Sequence, residues 1–98
     1  MASKTHHLQL TQESLSRLMQ VKRILKSNYN IRIHLQHEDL GDHIAQAISE
    51  SHDEELYQMV HDLWEELGAS SSNRDAKNEL RQNMFQLENA WSVSNTLH

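Results

Sequence analysis

The 98-residue sequence predicts a mainly α-helical single domain, on three observations. It contains no proline and only two glycines, Gly41 and Gly68, too few for a turn-rich all-β fold or a glycine-rich phosphate loop. Four stretches repeat apolar residues at three- and four-residue spacing, the period of an amphipathic helix. Only one short stretch, within 30–36, alternates apolar and polar residues as a strand does. Apolar residues make up 37 %, below the usual ~45–50 %, and a chain of 98 residues is about the smallest that buries a useful core. A compact monomer and a dimer sharing its core both fit that content. With no cysteine, disulfides, thiolate metal sites and thiol nucleophiles are excluded. No apolar run exceeds two residues, which leaves no membrane span or signal-peptide core, and the expected location is the cytoplasm.

In chain order, residues 1–9 have no helical period and are expected to fray. Thr11 is placed to cap a helix over 11–27, with Leu10 and Leu15 at the two staple positions. Leu15, Leu18, Met19, Lys22 and Leu25 form its stripe, widened by Val21 and Ile24. Ile31, Ile33 and Leu35 then alternate with Arg32, His34 and Gln36 and predict a strand. A lone strand leaves its amides unpaired, so its natural partner is the same strand of a second chain. Asp39 is placed to cap a short helix carrying Leu40, Ile44, Ala47 and Ile48. Ser51 and Glu54 have capping-box spacing ahead of the strongest helical stripe: Leu56, Met59, Val60, Leu63, Trp64 and Leu67. Gly68 is the expected stop. After a serine-rich link, a helix over 74–91 carries Ala76, Leu80, Met84, Leu87 and Trp91. The alternative architecture is an all-α four-helix bundle in which 31–35 is an extended link.

Charge is unevenly spread. The net charge is −5 with histidine neutral, but residues 1–27 carry +4, residues 28–68 carry −9 and the remainder is balanced. The basic and acidic segments are suited to pack on each other or on oppositely charged segments of a partner.

No constellation for catalysis is evident, and the expectation is a protein without enzyme activity or cofactor. The paired acids Glu54-Glu55 and Glu65-Glu66 fall on helix surfaces, whereas general acid–base work needs a desolvated carboxylate in a cleft. Serine chemistry lacks its glycine-flanked turn. His61 and Glu65 lie one turn apart, but a metal site needs three or four convergent ligands, so a solvated helix face is expected there. His34 and His37, three apart on a strand, point to opposite faces. Phe85 falls outside the stripe of its helix, and with Trp91 it is a candidate for contact with a partner.

Residues 28–68, in the order strand, short helix, capped turn and longer helix, resemble the ribbon–helix–helix family, most closely its Arc-type phage repressors. Asn28-Tyr29-Asn30-Ile31-Arg32-Ile33 looks like the reading strand, and Glu55-Leu56-Tyr57-Gln58-Met59-Val60 like the second helix. The resemblance implies an intertwined homodimer whose paired strands enter the DNA major groove. It places Asn28, Asn30 and Arg32 at base edges, with Ser51 and the helix amides on a phosphate. The −9 charge of this segment runs against phosphate contact.

Two functions are therefore expected. The first is a small dimeric DNA-binding transcriptional regulator reading duplex DNA with the strand ribbon. The alternative is an acidic helical protein-interaction module: an adaptor, an inhibitor or an antitoxin-like partner. Under that alternative the helix over 74–91 either docks into a partner protein or completes the chain's own core.

Overall fold

The computed structural model describes residues 10–96, with side chains described as far as Ser94. The expected frayed start therefore lies outside the described residues, as do His6 and His7. Four helices follow in order: α1 (Gln12–Tyr29), α2 (Leu40–Ser51), α3 (Glu54–Ser70) and α4 (Arg74–Thr96). No strand occurs among the described residues. The mainly α class holds, in the form of the four-helix alternative.

Thr11 caps α1 as its sequence suggests, its hydroxyl accepting from the Ser14 amide at 3.1 Å. The buried face of the helix is set by Ser14, Leu18, Val21 and Leu25. This face is rotated from the expected stripe, leaving Leu15 and Met19 exposed. The helix ends at Asn30, which adopts a left-handed conformation (φ 56°, ψ 34°). Asparagine tolerates that conformation better than most residues. The Asn30 amide bonds the Lys26 carbonyl at 3.1 Å, and the Ile31 amide reaches back to Leu25 at 3.0 Å. The Asn30 bond, from a left-handed residue to the carbonyl four back, is the αL closure, and the Ile31 bond reaches six back; together they close the helix and consume both amides.

That closure removes the expected ribbon. The Ile31 amide is held by α1, and the His34 amide donates to His43 Nε2 at 3.1 Å. The His37 amide closes a turn onto the His34 carbonyl. Ile33 is buried and Ile31 and Leu35 are partly buried, packed on the core. The alternation thus records one-sided burial of an extended link. Its backbone bonds go to a helix cap, a histidine ring and a turn instead of a second strand. The ribbon–helix–helix resemblance is overturned, and with it the ribbon-mediated dimer.

The α2–α3 junction also differs from expectation. Ser51 remains in α2, where its hydroxyl donates to the Ile48 carbonyl at 2.7 Å and accepts from the Asp53 amide at 3.1 Å. His52 turns the chain at φ 53°. Asp53 then caps α3, accepting from the Glu55 and Leu56 amides at 3.0 and 3.2 Å. The other oxygen of the same carboxylate receives the Tyr29 hydroxyl at 2.6 Å. Asp53 thereby ties the end of α1 to the start of α3, and this bond pushes the Tyr29 phenol above its usual range. Asp39 occupies the start of α2 without a side-chain cap bond. Gly68 does not stop α3, which runs on to Ser70.

Asn73 starts α4, accepting from the Asp75 and Ala76 amides. The helix lies against both α2 and α3 and extends beyond the expected end at Trp91. Leu80 and Leu87 are buried, and Met84 and Trp91 are partly buried. This answers the question left open by the sequence: the α4 stripe completes the chain's own core. Trp64, fully buried, is the largest side chain in that core, and its indole N–H finds no partner among the described residues. The Cα radius of gyration is 13.2 Å, close to the ~13 Å of a folded chain of this length.

Candidate interaction surface

The period that buries Leu56, Val60, Leu63 and Trp64 turns the remaining side chains of α3 outward. Glu54, Glu55, Gln58, Asp62, Glu65 and Glu66 are all exposed. α3 therefore carries five carboxylates and no lysine or arginine. Glu66 is paired with Arg17 of α1 at 2.8 Å. Glu54, Glu55, Asp62 and Glu65 enter no ion pair with the described residues. Like charges at three- and four-residue spacing cost a helix a few tenths of a kcal/mol per pair. On α3 this applies to Asp62 with Glu65 and Glu66, whereas Glu54 and Glu55, in the first turn, have no acid at that spacing and are favoured by the helix dipole.

The basic residues lie elsewhere. Lys22, Arg23 and Lys26 are exposed on α1, on the same side as Leu15 and Met19. Packing of α1 on α3 neutralises the acidic helix at only one point, Arg17, which also meets Glu13 at 3.2 Å. A shallow pocket of about 240 Å³ lies at this seam, lined by Thr11, Arg17, Leu63 and Ser70 among others. It is smaller than a typical small-molecule site of ~300–1,000 Å³, and its arginine is already paired with two carboxylates.

Where α3 meets α4, the surface is aromatic and polar. Tyr57 stacks on Trp91 with ring centroids 4.8 Å apart and planes 18° from parallel. His61 Nε2 lies 2.7 Å from Glu88 Oε2. Burial, and secondarily Glu88, push the Tyr57 phenol above its usual range. Trp91 is thus held by its own chain, while Phe85 is 64 % exposed one turn from Glu88. Met84, on the expected stripe of α4, is partly buried against the core.

Four of the described histidines, His34, His37, His43 and His61, fall into two groups. His37 stacks on His43 at 4.3 Å and 7°, with His34 at 6.0 Å from the same ring. The expectation that His34 and His37 diverge fails because the segment is not a strand. His43 Nε2 accepts the His34 amide and His37 Nδ1 accepts the Asp39 amide, so both acceptor nitrogens are unprotonated. Burial, followed by the neighbouring rings of His37 and His34, holds His43 below the ordinary histidine range. These rings brace the 31–39 link. The second group centres on His61 with Asp62, Glu65 and Glu88, and only the His61–Glu65 spacing was visible in sequence.

The residues assigned to DNA reading do not form a reading strand. Asn28 lies in the last turn of α1, Asn30 caps that helix, and Arg32 lies in the link. Ser51 is 8 % exposed, with its hydroxyl bonded to backbone on both sides. No helix of the described residues is long and apolar enough to cross a membrane. No family model matches the chain, and neither curated proteins nor solved structures yield a match.

Proposed function

We propose that this chain is a non-enzymatic protein-interaction module that binds a basic partner protein through the outer face of α3. The observation that carries this reading is the segregation on α3. Its apolar face is spent in the core, while Glu54, Glu55, Asp62 and Glu65 stand exposed without a cation among the described residues. A Lys/Arg-bearing segment laid along the helix relieves the repulsion between Asp62 and Glu65 and gains from complementary charge along the whole face. Phe85, near Glu88, offers an apolar contact at the α4 margin of that surface.

A matched pair of charge reversals tests the proposal. Glu54→Lys with Glu65→Lys alters α3, and Asp42→Lys with Glu50→Lys makes the same change in net charge on α2. All four positions are exposed. Binding of a Lys/Arg-rich helical peptide, followed by tryptophan fluorescence in EDTA, is expected to fall at least about tenfold in the α3 variant and much less in the α2 variant. That ratio corresponds to 1.4 kcal/mol. Equal losses in both would show that only net charge acts, contradicting a surface on α3.

A further inference from the structure

We propose that His61, Asp62 and Glu65 form a divalent transition-metal site on α3, positioned from α4 by Glu88. The ligand atoms of the three α3 residues lie within 4.8 Å of one another. Metal–nitrogen and metal–oxygen bonds of ~2.0–2.2 Å place neighbouring ligand atoms about 3–4 Å apart, so modest rotation of two exposed carboxylates closes the set. His61 is the anchored member. Its side chain is 22 % exposed, and its ring lies 5.7 Å from that of Tyr57.

Glu88 supplies what the sequence spacing of His61 and Glu65 lacks. Its carboxylate lies 2.7 Å from His61 Nε2 and accepts that N–H in the matching tautomer, leaving the Nδ1 lone pair for an ion. A carboxylate behind a ligating imidazole fixes ring orientation and raises its basicity. Glu88 is therefore a positioning residue and not a ligand, which agrees with its lying outside the group of mutually close donors. One imidazole and two carboxylates suit zinc, cobalt or nickel, whereas magnesium and calcium favour all-oxygen sites. Three protein ligands leave a coordination position for water.

This site shares Asp62 and Glu65 with the proposed interaction surface but does not depend on it. His61→Gln is expected to remove metal binding and leave peptide binding in EDTA unchanged, so the two readings fail separately.

Titration of the ¹⁵N-labelled full chain with Co²⁺ tests the site, with visible absorption reporting coordination. Saturable one-to-one binding is expected, with paramagnetic effects centred on residues 61–65 and 88. His61→Gln and, separately, the exposed Glu65→Gln are each expected to weaken binding at least about tenfold. Glu88→Gln keeps an acceptor for Nε2–H, and a loss of about tenfold is expected, the lower end for an outer-shell carboxylate, with an altered cobalt spectrum. Double substitution of His34 and His43 should leave this binding intact. Paramagnetic effects centred on His34, His37 and His43 or on His6 and His7 would overturn the proposal. So would non-saturable binding, or wild-type affinity in both His61→Gln and Glu65→Gln.

Discussion

The two seams that hold α4 are made differently. Against α2 the contact is close and built from small residues. Gly41 and, one turn on, Ala45 are buried, and a Cβ at Gly41 would collide with the buried Asn83 carboxamide. Farther along this seam the Ser94 hydroxyl donates to the Ser49 carbonyl at 3.2 Å. Against α3 the outer part of the contact is formed by large and polar groups, the Tyr57–Trp91 stack and the His61–Glu88 pair. The α3 seam keeps titratable and aromatic groups at the surface, beside a helix face of unpaired carboxylates. Against α4, α2 offers close packing, whereas α3 buries its own stripe and still presents polar and aromatic groups at the edge.

The largest effect is expected at the buried stripe by which α4 joins the core. Leu87 is 1 % exposed in the α4 core, and Leu87→Ala should lower stability by about 2–5 kcal/mol in urea unfolding. A loss below about 1 kcal/mol would show that α4 is not part of the core. Gly41→Ala tests the α2 seam alone. Forcing a methyl against Asn83 should cost about 1–3 kcal/mol, whereas a helical glycine replaced without a clash gains stability. An increase in Tm would therefore mean that the seam is looser than described.

A smaller effect concerns the histidine-braced link. His43 is held below the ordinary range of about 6.5. Its contribution to stability is fully present above the unfolded pKa. It is lost as pH falls through the lower folded pKa, because the unfolded chain takes up the proton first. Protonation at Nε2 also removes the acceptor of the His34 amide. Tm is expected to fall below about pH 6.5, and His43→Gln should flatten that fall. An unchanged slope would assign the pH dependence to other groups.

The sequence revealed the fold where a single local signal was strong: Thr11 caps α1, the Leu56-to-Leu67 stripe faces the core and α4 begins at Arg74. It misled where one pattern serves two structures. Ile31, Ile33 and Leu35 would alternate in a strand, and they alternate equally in an extended link lying on a core. Which structure forms depends on where the amides bond, and His43 lies nine residues beyond the amide it accepts. Ser51 and Asp53 compete as caps two residues apart. Asp53 caps α3 because its backbone is extended there, at φ −97° and ψ 106°, while Ser51 is still helical. The acidic face was legible as a run of charge, but its lack of cations was not, because that depends on which way α1 presents Lys22, Arg23 and Lys26. His61 and Glu65 were visible as a pair. Glu88 is 27 residues farther on, and only the packing of α4 brings it to the same ring.

The most direct test of α3 as an interaction surface is NMR titration of the wild-type chain in EDTA with a Lys/Arg-rich helical peptide, at low and at high salt. Shift changes should concentrate on residues 54–66 and at Phe85, and weaken as salt rises. Shifts centred on α1, or spread evenly over every acidic residue including Asp42 and Glu50, would contradict it.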